Sequence, residues 1–435
     1  MSAWRIVHLD LADGIVRVDA DGAPALVVFW WRGLPLGCRA FEAAETPVRA
    51  SLLAAFAAGL VAEQARARSP ALGAPWRAGV DGQPLAGISL AAARQGPSLL
   101  AMLDAWAAKP PPAAGQLSVV VCTRDRPQML QACLAGLSAQ TRPPREVIVV
   151  DNSAAGSAAT VAGLSGVRYV HEPRPGLSRA RNAGVAAASG EFIAFTDDDV
   201  GLPPEWTGEV VRAFADPSVD AMTGLVLPAA LDTPAQRAFQ LELGGFTARL
   251  QPLRFDAGFL ERTRAMGPQV WRIGAGANMA FRRRVFARLG GFDERLGAGA
   301  SGCSEDSEYW YRILAGGGVC LYEPRAYVFH HHRAEWPALR RQYRHYMRGH
   351  VSALVAQADR YGPSGDLRRI YTQLPVYFAR TGLSAVQTLS WWRLALLGHE
   401  VIGWAMGLVY LVRPGWRQRP RRAGAAAEAK VIGHA

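Results

Sequence analysis

The sequence predicts an α/β fold in which helices cover a central sheet. Three observations lead to this prediction. Short apolar runs at 117–122, 147–150, 167–170 and 192–195 have the length and composition of buried strands. Helical patterns separate several of these runs, and strict alternation of strand and helix is typical of a doubly wound sheet. With 435 residues, the chain is long enough for two or three domains.

The composition indicates a globular protein of a reducing compartment. Half of the residues are apolar and 19% are charged, which is typical of a folded chain. The net charge of +12 comes almost entirely from arginine, because lysine occurs only at Lys109 and Lys430. We attribute this charge largely to compositional bias and predict no nucleic-acid partner. The five cysteines form no CxxC pair, and the N-terminus lacks a signal-peptide pattern. We therefore expect a cytoplasmic protein.

Residues 1–108 are predicted to form a small α+β domain. The runs at 6–9, 14–18 and 25–31 have strand character, and the Asp-Gly pair at 21–22 is a hairpin signal before the last of them. The Thr-Pro pair at 46–47 predicts the start of a helix, with proline at its first position. No catalytic constellation occurs in this unit, and its role cannot be inferred from the sequence.

Three further units follow. Residues 109–116 are rich in proline and are predicted to be a linker. Residues 117–335 contain the alternating strands and helices of the predicted sheet domain. From 336 to 435, apolar residues recur at helical spacing, which predicts a helical C-terminal region.

Three consecutive carboxylates close one of the buried strands. Asp197, Asp198 and Asp199 would repel one another at the mouth of the strand unless a cation lay between them. Thr123 and Asp151 follow two other strands. Open α/β sheets bind ligands at the carboxyl ends of their strands, so these side chains should line one crevice. Hard oxygen ligands suit a divalent metal that carries a phosphorylated ligand, whereas the alternative is a solvated acidic turn.

Seven motifs, in this order, resemble those of family 2 glycosyltransferases over about residues 118–350. They are SVVVCTRDRP at 118–127, VIVVDN at 147–152, PGLSRARNAG at 175–184, GEFIAFTDDD at 190–199, GANMA at 276–280, GGFDE at 290–294 and SEDSE at 304–308. The resemblance implies a GT-A-like fold with a mixed sheet. It also implies transfer of a sugar from a nucleoside diphosphate donor, with inversion at the anomeric carbon.

The resemblance implies a metal site that holds Mn²⁺ or Mg²⁺. Asp197 and Asp199 would be the outer carboxylates of the family's DxD motif, although the central Asp198 leaves the register open by one residue. Asp197 and Asp198 would also contact the nucleotide sugar. His330 is the predicted third metal ligand, and its neighbour His332 is the alternative because the segment contains consecutive histidines.

The same resemblance implies a donor site. Thr123, Arg124 and Arg181 would flank the base and phosphates, and Arg179 could replace Arg181. Asp151 lies where the family has a nucleotide-contacting aspartate, and a carboxylate there can accept the imide N–H of uracil. We therefore favour a UDP-sugar, while a local capping role is the alternative for Asp151.

Asp306 is the predicted general base, because direct displacement requires a carboxylate that takes the proton of the acceptor hydroxyl. Glu305 is expected to orient the site. The alternative for this pair is an ordinary acidic helix start. Asn278 and Trp310 are the predicted acceptor contacts, and Trp310 could instead belong to the core.

These residues predict an inverting, metal-dependent glycosyltransferase that acts on a glycan or lipid-linked acceptor in cell-surface polysaccharide synthesis. One alternative is a nucleotidyltransferase acting on sugar phosphates. Such an enzyme would be expected to have a glycine-rich loop containing lysine before the first helix of the sheet, and the sequence has no such loop there. The other is a non-catalytic carbohydrate-binding protein with a transferase fold. The retained Asp199 and Asp306 disfavour it.

The segment 394–412 is apolar except for His399 and Glu400, and Arg393 and Arg413 flank it. A charged side chain inside the segment raises the free energy that the segment would need to span a membrane. We predict an interfacial helix, with 391–422 in peripheral contact with anionic headgroups on the inner face of the cell membrane. The alternative is a helix packed against the rest of the protein.

Overall fold

The computed structural model describes residues 3–15, 17–68, 99–156, 166–246, 250–362, 365–412 and 416. The strands are β1 Arg5–Asp10, β2 Ala25–Trp31, β3 Leu34–Phe41, β4 Leu117–Thr123, β5 Glu146–Asp151, β6 Val167–His171, β7 Phe192–Asp197, β8 Val200–Gly201, β9 Val219–Pro228, β10 Leu253–Phe255, β11 Asn278–Arg282 and β12 Val319–His330. The α-helices are α1 Ala50–Arg68, α2 Leu99–Ala107, α3 Pro127–Ser138, α4 Leu177–Ala187, α5 Trp206–Arg212, α6 Pro234–Arg237, α7 Ala257–Thr263, α8 Arg283–Leu289, α9 Glu305–Ala315, α10 Trp336–Tyr361, α11 Gly365–Arg368, α12 Leu374–Gln387 and α13 Trp391–Tyr410. Two π-helices, Ala238–Glu242 and Arg369–Gln373, extend α6 and α11.

The larger sheet contains nine strands in the order β10-β12-β9-β11-β7-β4-β5-β6, with β8 paired to β12. Strands β7, β4, β5 and β6 are parallel, and they are the four predicted from the apolar runs. Strand β11 is antiparallel to both β7 and β9, while β12 is parallel to β9. The predicted α/β fold with a central mixed sheet and a helical C-terminal region is therefore confirmed.

Both faces of the central strands are buried, because helices cover the sheet on each side. On β4, Val120 packs in a cluster that also contains Phe195 and Tyr309 of α9. Its neighbour Val121 points to the opposite face and packs with Leu134 of α3. This alternation explains why these strands are continuous apolar runs rather than alternating apolar and polar residues.

The N-terminal sheet differs from the prediction in two details. In the described part of the predicted run at 14–18, Val18 forms an isolated bridge with Val48 rather than a strand beside β2, and β2 pairs with the parallel β1 instead, so the turn at 21–22 does not join an antiparallel pair. The hairpin lies instead between β2 and β3, where Arg32 and Gly33 both have positive φ, as a tight hairpin turn requires. Helix α1 begins at Ala50, later than the predicted start at 46–47.

The N-terminal sheet and the larger sheet share a core. Trp30 of β2 packs against Tyr327 of β12, with ring centroids 4.7 Å apart. Val28 joins the cluster that covers one face of the larger sheet. The division of the chain at residues 108, 116 and 335 stays a prediction.

Helix α13 has one buried face and one exposed face. Its buried face packs on α10, and a side chain at Gly407 would contact Val351 of α10 at 2.8 Å. Trp391, Ile402, Met406 and Val409 form an exposed apolar line, here called the α13 stripe, at 36–72% exposure. Among the helices of the described residues, none combines the length and apolar character that crossing a membrane requires.

Glu400 lies on the buried face of α13 and makes folding dependent on pH. Burial raises its pKa from 4.5 to about 7, against the hydrogen bond from the Tyr377 hydroxyl and the charge of Arg393, which lower it. Because the folded state keeps a proton that the unfolded state releases, the free energy of unfolding falls as pH rises between these two values. This contribution is lost completely above the folded pKa.

We therefore expect Glu400→Gln to raise the free energy of unfolding at about pH 8, by up to about 3 kcal/mol, and to change it little at about pH 4. Denaturant unfolding at both pH values measures the effect. Glu261→Gln, at an exposed site on α7, is the matched control and should change neither value. Equal stability of wild type and Glu400→Gln at high pH would contradict this role of Glu400.

Candidate active site

The carboxyl ends of several strands meet at one edge of the larger sheet. Strand β4 ends at Thr123, β7 ends at Asp197, and β12 ends at His330. The backbone N–H of His331 donates to the carbonyl oxygen of Asp199 at 3.0 Å, which joins the end of β12 to the acidic turn. The site therefore forms at the carboxyl ends of parallel strands, where polar residues follow the apolar ones, as in other open α/β sheets.

Two of the three consecutive carboxylates are buried and one faces outward. Asp198 and Asp199 are 4% and 5% exposed, whereas about a third of the Asp197 side chain (34%) is exposed. One ligand atom each from Asp197, Asp199 and His330 lies within 4.8 Å of the others. The structure thus places the predicted metal ligands together. A set dominated by carboxylate oxygens suits Mg²⁺ or Mn²⁺.

Asp198 is held by protein contacts rather than facing that cluster. Thr123 Oγ1 donates to Asp198 Oδ2 at 2.7 Å, and Arg126 Nη1 donates to Asp198 Oδ1 at 3.1 Å. Burial raises the pKa of Asp198 to about 6, although both contacts lower it. Thr123 therefore acts on the site by positioning Asp198. The contacts favour Asp197 and Asp199 as the outer pair of the motif.

Two arginines of the site were missed by the sequence reasoning. Arg126 bridges Asp198 and Asp199, at 3.1 and 3.0 Å. Arg333 lies 3.6 Å from Asp199. Arg126 could have been found from its place in the SVVVCTRDRP motif, just beyond the end of β4.

A chain of hydrogen bonds fixes the proton of His330. The carbonyl oxygen of Gln240 can only accept, so His332 Nε2, at 3.0 Å, carries the proton of this bond. His332 Nδ1 then carries a lone pair and accepts a hydrogen bond from His330 Nδ1–H, also at 3.0 Å. Burial lowers the pKa of His330 and lowers that of His332 to about 3, which keeps both rings neutral. Both histidines therefore have defined roles, with His330 facing the carboxylates.

This proton arrangement leaves His330 Nε2 with a lone pair, directed at Asp199 Oδ1 from 3.4 Å. Two acceptors facing each other at this distance are unfavourable unless a cation lies between them. A neutral imidazole whose second nitrogen is held by a hydrogen bond is the usual form of a histidine metal ligand. The donor set therefore fits a divalent cation.

Arg181 joins the acidic turn to the start of α9. Its guanidinium is 3% exposed, pairs with Glu305 at 2.5 Å and lies 3.8 Å from Asp197. Burial raises the pKa of Glu305 to about 7 against the charge of Arg181, and the neighbouring Asp306 raises it further. Arg179 instead pairs with Glu294 at 3.2 Å. Of the two arginines, Arg181 is therefore the one that lies in the site.

Asp306 is the half-buried member of the acidic pair. Its Oδ1 accepts from the backbone N–H of Ser307 at 2.6 Å. Its Oδ2 lies beside Gly276, where a Cβ would be 2.9 Å from this oxygen and 2.8 Å from Arg181 Nη2. The glycine of the GANMA motif therefore leaves room for two charged groups. Glu305 is bound to Arg181, so Asp306 is the carboxylate of the pair that solvent reaches.

Three of the predicted contact residues have side chains that the fold already engages. Asp151 is 0% exposed; its oxygens accept from the backbone of Ser153 at 2.8 Å and from the Tyr169 hydroxyl at 2.9 Å. These bonds fit the local role that was the alternative to a base contact. Asn278 is also 0% exposed; its amide bonds the carbonyl oxygens of Leu225 and Ala326 and the indole of Trp206. Trp310 lies fully in the core. By contrast, Arg124 is exposed at the edge of the site.

Comparison with known proteins gives a family and partial relatives. The profile described as "Glycosyl transferase family 2" matches residues 118–290. Pre-mycofactocin glycosyltransferase of Mycobacterium tuberculosis is 28% identical over 242 residues, which cover 54% of this chain and 47% of that protein. Succinoglycan biosynthesis protein ExoM of Rhizobium meliloti is 31% identical over 225 residues, 49% of this chain and 65% of that protein. The chain therefore spans less than two thirds of the length of either relative.

Among solved structures, a mannosyltransferase from Pyrobaculum calidifontis, in complex with GDP-Man and Mn²⁺, is similar with a TM-score of 0.46. It shares 19% sequence identity, and the similarity covers 70% of this chain and 92% of that chain. The profile match runs from β4 to the end of α8 and includes the acidic turn and Arg181. By this match, residues 118–290 carry a glycosyltransferase family 2 region.

Proposed function

We propose that the chain is an inverting, metal-dependent glycosyltransferase. It moves a sugar from a nucleoside diphosphate donor to a glycan or lipid-linked acceptor in cell-surface polysaccharide synthesis. The observation that supports this most strongly is the convergence of Asp197, Asp199 and His330 at one point, with Asp306 held near it across Arg181.

Each group has a chemical role in this proposal. A divalent cation held by Asp197, Asp199 and His330 would neutralise the charge that develops on the departing diphosphate. Asp306 would accept the proton of the acceptor hydroxyl, and Arg181 would keep Glu305 and Asp197 in place. Arg124, exposed at the end of β4, is proposed to contact the donor. The engaged carboxylate of Asp151 no longer supports uracil over other bases.

A donor screen tests the proposed function. Release of nucleoside diphosphate is measured from UDP-, GDP- and dTDP-sugars, in the presence of Mn²⁺, Mg²⁺ or a chelator. We expect turnover with one class of donor and only with a divalent ion. Absence of release from all donors, together with absence of nucleotide binding by calorimetry, would contradict a transferase function.

The bond between Gln240 and His332 should influence metal affinity. Gln240→Leu removes the acceptor that fixes the proton on His332, so His330 loses its defined tautomer. We expect Mn²⁺ affinity in the presence of nucleoside diphosphate to fall about tenfold or more, measured by calorimetry. Gln240→Glu keeps an acceptor oxygen and should retain affinity. Gln131→Leu, at an exposed site on α3, is the control. Unchanged affinity in Gln240→Leu would refute the role of this bond.

We also propose that the protein works on the cytoplasmic side of the cell membrane through peripheral contact by 391–422. The support is the α13 stripe, whose four apolar side chains are exposed without an intervening charge on the stripe. The arginines beyond residue 412, which the prediction includes, lie outside the described residues. The same helix packs closely on α10, so its deletion would also expose the core.

Point substitutions on the stripe avoid that problem. Ile402→Gln with Val409→Gln keeps helix-forming residues while removing apolar surface. We expect binding to anionic vesicles to fall about tenfold or more, since each buried side chain contributes about 1.5 kcal/mol or more. Co-sedimentation measures it. Met266→Gln, at 52% exposure on another surface, is the control. Equal sedimentation of all three chains would favour a packed helix without membrane contact.

A further inference from the structure

The turn between α12 and α13 borders a cavity of about 400 Å³. Its lining is rich in hydrogen-bond donors and includes Arg380, Arg393, Ser384, Thr388, Ser390 and Trp392. Glu242 is the carboxylate of the lining, so two guanidinium groups face one acid. Guanidinium and hydroxyl groups that converge on one space bind phosphate oxygens well.

Both arginines are available to a ligand. Among the residues that the structure describes, neither Arg380 nor Arg393 forms an ion pair with a carboxylate. The field of Arg393 reaches Glu242, where it lowers the pKa that burial raises. Ser390 is the N-cap of α13, a helix of 20 residues, and the positive end of the helix dipole therefore lies at the same cavity. The electrostatic surroundings favour an anion.

Apolar side chains surround this cationic cavity. Leu383, Val386, Leu389 and Trp391, which belong to the same turn and its flanking helices, are 56–72% exposed. Leu389 also has φ +50°, a conformation that is unfavourable for a bulky residue. An exposed apolar rim around an anion-binding cavity matches a ligand that carries both an acidic group and a lipid chain.

Two elements near the cavity also lead to the candidate active site. Glu242 ends the π-helix in which Gln240 holds His332. Trp392 packs against Trp336, the first residue of α10, with ring centroids 5.6 Å apart. Helix α10 begins shortly after His330. A group held in the cavity would therefore lie beside the elements that position the predicted metal ligands.

We propose that the cavity binds the phosphate group of a phosphorylated lipid while the apolar rim enters the membrane. This inference rests on the proposed function, because it narrows the acceptor to membrane lipids that carry a terminal phosphate in addition to the hydroxyl that Asp306 would deprotonate. Arg380 and Arg393 hold the anion, and the hydroxyl groups of Ser384 and Ser390 complete its shell. The ligand of the cavity is therefore a component of the membrane and not a soluble phosphate.

Vesicle binding by the full chain tests the proposal. The probes are phosphatidylcholine vesicles that contain a minor fraction of phosphatidic acid, whose phosphate is terminal, or the same fraction of phosphatidylserine, whose phosphate is not. We expect wild type to prefer phosphatidic acid, and Arg380→Gln with Arg393→Gln to weaken that binding about tenfold or more. The stripe should leave residual binding to both vesicles.

The control is Arg49→Gln with Arg283→Gln, which removes the same charge from two exposed positions elsewhere. It should keep the preference for phosphatidic acid, and thermal unfolding verifies that both variants fold. The proposal is overturned if Arg380→Gln with Arg393→Gln binds phosphatidic acid as wild type does. It is also overturned if both double variants weaken binding equally, or if wild type shows no preference.

Two further measurements separate the possible failures. If glycerol phosphate, which lacks a lipid chain, binds the wild-type chain as tightly as the vesicles do, the cavity serves a soluble phosphate and the membrane source is wrong. Binding of UDP with Mn²⁺ to the wild-type chain, measured by calorimetry, reports on the proposed function alone. Its absence would overturn the transferase proposal while a preference for phosphatidic acid would still support the lipid site.

Discussion

Replacing Asp199 with alanine is expected to abolish measurable turnover, a loss of about 10³-fold or more. Asp199 contributes one of the three ligand atoms of the predicted metal site and faces the lone pair of His330 Nε2 at 3.4 Å. Electrostatic stabilisation of a departing diphosphate by a cation contributes several kcal/mol, and each 1.36 kcal/mol corresponds to about tenfold in rate. Release of nucleoside diphosphate in the presence of Mn²⁺ measures the effect.

The fold should survive this change. Asp198 keeps its bonds to Thr123 and Arg126, and the removal of one of three neighbouring carboxylates relieves repulsion in the metal-free protein. Thermal unfolding should therefore show no loss of stability. Asp359→Ala, at an exposed position on α10, should leave turnover unchanged. Full activity of Asp199→Ala, or of wild type in chelator, would refute the metal assignment.

Replacing Asp306 with asparagine is expected to lower turnover by about 10²-fold or more while donor binding stays nearly intact. The substitution keeps the shape and the hydrogen bond to Ser307 but removes the proton acceptor. General-base contributions are typically about 10²–10⁴ in rate. Turnover is followed by product release, and donor binding by calorimetry with nucleoside diphosphate and Mn²⁺.

Glu305→Gln is the informative comparison for Asp306→Asn. Glu305 is buried and pairs with Arg181 at 2.5 Å, so its neutralisation leaves a buried guanidinium without its partner charge. Such a change typically costs about 3–5 kcal/mol, and we expect a lower melting temperature as well as lower turnover. Asp306→Asn should lower turnover without that loss of stability. If Asp306→Asn loses donor binding and turnover in parallel, Asp306 belongs to the donor site, and Asp293 or Glu294 becomes the better candidate base.

The two alternative bases, Asp293 and Glu294, differ in burial. Asp293 is 1% exposed and is bound by Arg295 at 2.7 Å. The guanidinium of Arg295 lowers the pKa of Asp293 despite its burial. Glu294 is about half exposed and pairs with Arg179. Of the two, Glu294 therefore has the freer carboxylate.

Local sequence was sufficient to find the edge of the sheet where the site lies. The apolar run before Asp197 predicted a buried strand, and its carboxylates were therefore expected at the carboxyl end of that strand. The four parallel strands follow from the same reasoning, because burial on both faces requires continuous apolar residues. The resemblance over several ordered motifs then supplied the roles of Asp199, His330 and Asp306.

Motif resemblance does not show how a residue is placed among its neighbours in space. Asn278 belongs to the GANMA motif and Trp310 follows the SEDSE motif, and both are 0% exposed. Asp151 ends the predicted strand, but Tyr169 of the adjacent β6 takes one of its oxygens. Sequence spacing cannot show this, because exposure is set by the helices and strands that cover a residue from elsewhere in the chain.

The sequence by itself determined the four parallel strands, the resemblance to a family over part of the chain, and the acidic turn, since all of these depend on short-range patterns. Only the tertiary structure decided which histidine faces the carboxylates, which member of the pair Glu305 and Asp306 is free, and that Arg126 belongs to the site. These outcomes depend on contacts between distant segments: Arg181 meets Glu305 across 124 positions, and Gln240 meets His332 across 92. Packing brings such residues together, so their hydrogen bonds and charges are fixed by the fold rather than by local sequence.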